Sequence, residues 1–142
     1  MLAYWQIAQR AGAELVVVPD DESGQHDVAS LRSLVDERTR LSGLAWVPTS
    51  GGLVDPAAEV DRIARDADVL YVLDATQAVG QLAIDVRALG CDVLTGTGCK
   101  FLRGPRGTGF LWAGDRALER LEPHVAEIGS ATWEGAPRGF PE

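Results

Sequence analysis

Short apolar runs alternate along this chain with segments whose apolar residues recur every three or four positions. That alternation predicts an α/β fold, a predominantly parallel sheet flanked by helices. The runs that read as strands are Leu15–Val18, Ser42–Val47, Val69–Leu73, Asp92–Thr95 and Gly109–Ala113. Between the first two, Val28, Leu31, Leu34 and Val35 share one helical face, and Asp27 stands where an N-cap carboxylate accepts the free N–H groups of a first turn. Between the next two, Ala57, Val60, Ile63, Ala64 and Ala67 repeat the spacing behind Asp55-Pro56, with Asp as the cap and Pro as the first helical residue. Met1 to Ala13 reads as a further helix with Leu2, Trp5, Ile7 and Ala8 to bury, and Trp46 and Trp112, on strands, are assigned to the core. Residues 135–142 form an irregular tail, so residues 1–134 are taken as part of one domain. The first helix has no strand before it and the tail closes nothing, so both an upstream and a downstream part of the domain are expected elsewhere.

Composition narrows the partners. With 46% hydrophobic and 24% charged residues the chain can bury one core, and a net charge of −8 argues against binding nucleic acid or an anionic membrane surface. A small molecule is the expected partner. Cys91 and Cys99 form no C-x-x-C pair and have no histidine close by, so neither a disulfide framework nor a metal site is indicated, and a reducing cytoplasm fits. No apolar run approaches the roughly 18 residues of a membrane span. His26 and His124 have no acidic or thiol partner at catalytic spacing and read as surface residues.

Chemistry concentrates where three strands end. In open parallel sheets ligands lie beyond the carboxyl ends of the strands. Here those ends lead into Pro48-Thr49-Ser50-Gly51-Gly52, into Asp74-Ala75-Thr76-Gln77, and into the glycine-dense run that carries Lys100, the single lysine of the chain. An amine that loses its proton when desolvated attacks a carbonyl, and a carboxylate on the neighbouring strand holds a protonated ring nitrogen. Pyridoxal 5'-phosphate needs both, at its two poles. On this reading Gln77 donates to the ring's phenolic oxygen, and Thr97 with the N–H groups of Gly96 to Cys99 receives the phosphate. Two other ligand readings fail on spacing: Lys100 is followed by Phe101, not the Ser or Thr of a phosphate-binding P-loop, and Phe101 stands where a dinucleotide fingerprint needs its third glycine.

Asp74-Ala75-Thr76-Gln77-Ala78-Val79-Gly80-Gln81, then Asp85-Val86, Asp92, and Thr97-Gly98-Cys99-Lys100-Phe101-Leu102-Arg103-Gly104-Pro105-Arg106-Gly107-Thr108-Gly109-Phe110-Leu111 resemble the cofactor core of class V aminotransferases, which include the cysteine desulfurases. The likeness runs from about Arg10 to Ala113 and takes in Val47 to Pro56. It implies part of the large domain of a fold-type I pyridoxal-phosphate enzyme, acting on an amino acid and homodimeric when full length. It further implies that Lys100 forms the internal aldimine, Asp74 pairs with the pyridinium nitrogen, Gln77 contacts the phenolic oxygen and Thr97 binds phosphate. Thr49 falls where desulfurases place a cofactor-contacting asparagine. Cys99 is a departure, because similar proteins commonly carry His or Arg before the lysine to help hold the phosphate, and a thiol is a weak donor. Transamination, desulfuration, β-elimination and epimerisation share one α-proton step, and the resemblance does not choose among them. The competing expectation is a catalytically silent chain, at most a weak binding module that associates through exposed apolar surface.

Overall fold

A computed structural model describes residues 2–122. His124, Trp133 and the tail at 135–142 lie outside the described residues. The elements are α1 Leu2–Ala11, α2 Val28–Leu34, β1 Leu41–Ala45, α3 Ala57–Asp66, β2 Leu70–Asp74, α4 Val86–Leu89, β3 Val93–Thr97, β4 Gly109–Ala113 and α5 Asp115–Arg120. The strands form one sheet in the order β1-β2-β3-β4. β1 runs parallel to β2 and β2 to β3, while β4 returns antiparallel to β3.

The crossovers form for the reasons the sequence supplies. Asp27 caps α2, its carboxylate accepting from the N–H groups of Ala29 and Ser30, and Asp85 does the same for α4 with Arg87 and Ala88. α3 buries Ala57, Val60, Ile63 and Ala64, one stripe at helical spacing, against the sheet face made by Leu44, Trp46, Tyr71, Leu73 and Leu94. Fully burying a Val, Leu or Ile side chain is worth roughly 1.5–3 kcal/mol, so Val60 and Ile63 alone contribute several kcal/mol to holding α3 on the sheet. Cys91 belongs to the same core, and burial pushes its thiol up to about 11.

Several expectations are corrected. Leu15–Val18 joins no strand among the described residues: Leu15, Val16 and Val17 are exposed and only Val18 packs on the core. Apolar, β-branched residues suit a pleated surface, but a strand needs a ladder to satisfy its backbone groups, and none lies beside this run. Trp5 and Ile7 are exposed at 52% and 63%, because α1 meets the sheet through Tyr4, which turns these two side chains outward. Leu34 is exposed at the last turn of α2, and Trp112 reaches the surface on the edge strand β4. Asp55 does not cap α3. It is buried and accepts instead from the backbone N–H of His26 at 2.9 Å, leaving Pro56 as the N-cap with no side-chain hydrogen bond.

A second buried carboxylate, Asp92, ties the amino ends of the strands to α5. It accepts from Tyr71 N–H at 2.8 Å and Arg116 Nη1 at 2.9 Å, and Arg116 also reaches Asp68. This network lies at the end of the sheet away from Asp74, which leaves the carboxyl ends of β1, β2 and β3 free for other work.

Candidate cofactor site

Asp74 is the last residue of β2 and pairs in register with Ala45 of β1 and Thr95 of β3. Side chains two apart on a strand share a face, so Asp74, Thr95 and Thr97 emerge on the same side of the sheet. The Asp74 carboxylate is exposed, with Oδ1 taken by Thr76 N–H at 2.9 Å. Its Oδ2 accepts no hydrogen bond among the described residues. One residue turn further, Gln77 Nε2 donates to Thr49 Oγ1 at 2.9 Å, and Gln81 Nε2 donates to the Gln77 carbonyl at 2.6 Å. Ala45, Val47, Thr49, Asp74, Thr76 and Gln77 line one small pocket of about 70 Å³. Three of the sequence-predicted residues, Thr49, Asp74 and Gln77, therefore share a concavity at the rim where they were expected.

Lys100 lies outside that pocket, on the exposed turn that follows β3. Among the described residues it makes no ion pair with a carboxylate. Its loop is nonetheless held against the Asp74–Gln77 segment. Gly80, at φ 91°, has the Phe101 carbonyl 2.7 Å and Leu102 N 2.9 Å from where a Cβ would stand, so any side chain at 80 would drive the lysine loop away.

The glycine-dense run has a different physical basis from the expected one. Gly96 makes room for the Phe110 ring and Gly98 for the Thr108 hydroxyl, so both glycines serve the return of β4. Gly98 N–H is donated to the Thr108 carbonyl at 2.9 Å, and the Thr97 hydroxyl donates to the same oxygen at 3.2 Å. Thr97 Oγ1 also lies 3.6 Å from Cys99 Sγ. The N–H groups of Cys99 and Lys100 donate to no protein acceptor among the described residues, so they, not Gly98, are the backbone groups open to an anion. Thr108 and Gly80 had no assigned purpose in the sequence. Positions flanked by glycine or hugging a motif were the one signal that could have marked them.

Comparison with known proteins accords with this arrangement. Residues 1–137 match the family described as Aminotransferase class-V. The chain is 38% identical over 119 residues to a probable cysteine desulfurase of Methanothermobacter thermautotrophicus, which covers 84% of this chain and 30% of that protein. It is 39% identical over 132 residues to a cysteine desulfurase of Dickeya dadantii, 92% of this chain and 30% of that one. The apo structure of a cysteine desulfurase from Thermococcus onnurineus NA1 matches with a TM-score of 0.83 at 26% identity, over 91% of this chain and 32% of the other. In fold, a structure of SspA in complex with cysteine is also similar, with a TM-score of 0.78 at 24% identity over 87% of this chain and 35% of that one. The chain thus spans about a third of the length of the curated relatives it matches.

A parallel sheet with converging loops at the carboxyl ends of β1, β2 and β3 is the α/β architecture of fold-type I pyridoxal-phosphate enzymes. Within that class, the chain belongs to the aminotransferase class-V family, whose members depend on pyridoxal phosphate.

Proposed function

We propose that this chain supplies the cofactor-holding part of a pyridoxal-phosphate enzyme that acts on an amino acid, with Lys100 as the covalent anchor and the acid–base group. The observation that carries the reading is the register of β2 and β3. Asp74 stands beside Thr95, five residues before Lys100, and the lysine loop is pressed onto Gly80, six residues after Asp74. The residues fit the cofactor's chemistry. Asp74 keeps one carboxylate oxygen without a partner among the described residues, as a ring-nitrogen acceptor requires, and the amide N–H groups of Cys99 and Lys100 suit phosphate.

When bound, pyridoxal phosphate supplies an electron sink for negative charge at the substrate α-carbon. Asp74 holds the proton on the ring nitrogen. Gln77, tethered by Thr49, would offer its second amide N–H to the ring's phenolic oxygen, and Thr97 with Cys99 would hold the phosphate end. Lys100 Nζ moves the proton at the substrate α-carbon. Transamination, desulfuration, β-elimination and epimerisation all use that step. Cysteine is the first substrate to test, because relatives at 38% and 39% identity are named cysteine desulfurases. A homodimer and a cytoplasmic setting belong to the same reading, the former from the family and the latter from two cysteines left unpaired.

The exposure of Trp5, Ile7, Val17 and Leu118 favours a second reading, a silent chain that associates through apolar surface. Titration with pyridoxal phosphate separates the two. The first reading expects a new absorption band in wild type that is absent from Lys100→Ala and weaker in Asp74→Ala. Identical spectra from wild type and Lys100→Ala would uphold the second.

A further inference from the structure

Gly43 sits at the centre of β1, and the ring of Tyr4 from α1 lies on it. A Cβ at position 43 would stand 3.2 Å from Tyr4 Oη and 3.3 Å from Cζ. Gly43 shares its sheet face with Ala45, and Ala45 is in register with Asp74. Ala45 and Asp74 both line the pocket. Tyr4 therefore lies one strand repeat, about 7 Å, from the pocket wall and on the face where the pocket opens. Nothing in the reading above uses it.

Three observations set Tyr4 apart from a helix anchor. Its side chain remains 38% exposed, so the contact with Gly43 does not bury it in the core. Its hydroxyl makes no hydrogen bond among the described residues. Its phenol is held above the ordinary range, by burial first and then by the negative charge of Asp74, which puts the two groups in one electrostatic environment. Along β1 between them the sheet face carries only the methyl of Ala45 and the bare backbone of Gly43, with Val72 of β2 standing beside Gly43 on the same face. The contacts proposed at Asp74, Gln77 and Lys100 all lie at the carboxyl ends of the strands, and none of them closes the β1 side of the pocket, where Ala45 and Gly43 carry little or no side chain. The Tyr4 ring stands at the end of that strip.

We propose that Tyr4 is a positioning residue of this pocket, its ring a stop that limits how far a planar aromatic ligand held at Asp74 slides along β1. The inference rests on the pyridoxal-phosphate reading, and Gly43 is part of it, since a larger residue there would push the ring off the sheet.

The test measures pyridoxal-phosphate affinity by absorbance on the full chain. Tyr4→Phe keeps the ring and should bind within about two-fold of wild type, whereas Tyr4→Ala and Gly43→Val should bind about ten-fold more weakly with a displaced absorption maximum. Unaltered affinity and spectrum in a folded Tyr4→Ala, beside normal binding by wild type, would overturn the inference alone. No binding by wild type would overturn the cofactor reading and the inference with it. A second measurement does not depend on how the Tyr4 variants fold. The chain has two tyrosines, and the Tyr71 phenol is pushed far above the accessible range by burial, so spectrophotometric titration reads Tyr4 alone. Asp74→Asn should lower that midpoint, and an unchanged midpoint would contradict the placement of Tyr4 beside the pocket.

Discussion

Gln77 donates from Nε2 to Thr49 Oγ1 at 2.9 Å, a bond that joins the loop after β1 to the loop after β2 across 28 residues of chain. Taken from sequence, each residue was a separate contact to the cofactor. The bond makes them one unit, in which Thr49 fixes the direction of the Gln77 amide and leaves its second N–H free to donate.

Thr49→Val should therefore act through Gln77. A hydrogen bond of this kind is worth about 1 kcal/mol, which corresponds to roughly five-fold in affinity. Pyridoxal-phosphate affinity should fall by about that factor in Thr49→Val and recover in Thr49→Ser. Isothermal titration of the two variants checks it, and equal affinities for valine and serine would show that the tether is idle.

The buried end of the sheet makes a separate prediction. Tyr71 is fully buried, and its hydroxyl has no hydrogen-bond partner among the described residues. Removing a polar group that is buried without a partner relieves a desolvation cost, so Tyr71→Phe should leave stability unchanged or raise it by about 1 kcal/mol. A urea midpoint lower than wild type would mean that the hydroxyl has a partner.

Arg116 should behave in the opposite way. It pairs with Asp92, whose side chain is 3% exposed, and replacing it leaves a buried carboxylate with Tyr71 N–H as its remaining partner. Arg116→Met should cost about 2–4 kcal/mol in chemical denaturation, since removing one partner of a buried pair strands the other. Arg120→Ala, which loses contacts to the exposed Asp68, should cost less than about 1 kcal/mol.

Acid should erase the contribution of Asp27. Hydrogen bonds from the Ser30 side chain and the Ser30 and Ala29 N–H groups hold its carboxyl below the ordinary range. A group whose pKa is lower in the folded state adds stability above its unfolded pKa and loses that contribution as pH falls through the folded value. Asp27→Ala should thus unfold earlier than wild type at pH 7, with the gap closing below about pH 4. A gap that persists undiminished in strong acid would mean that the cap acts through something other than charge.

How much of this was legible in the sequence depended on whether the signal was local. β2 and α3 fell close to their apolar runs because burial dictates both the period and the residue type, and β4 matched its run although none of its residues is buried. Asp27 was legible as a cap because the N–H groups it accepts from lie two and three residues away. Asp55 carries the same local signature and does something else, because its partner, His26 N–H, is 29 residues distant. Leu15–Val18 had the composition of a strand and lacked a neighbour, which no window of sequence reveals. At the site, Thr49, Asp74 and Gln77 were readable as strand-end polar residues that share a rim. The Thr49–Gln77 bond, the Gly80 seat under the lysine loop and the Tyr4–Gly43 contact were not, since each joins parts of the chain at least 20 residues apart.

The central claim is that Lys100 is the amine that holds the cofactor, and the chain's having a single lysine makes it directly testable. Wild type is incubated with pyridoxal phosphate, reduced with borohydride, digested and mapped by mass spectrometry. The account predicts one pyridoxyl-phosphate adduct, on Lys100, formed less readily in Asp74→Ala. An adduct confined to the amino terminus, or none at all while the protein remains folded, would contradict it.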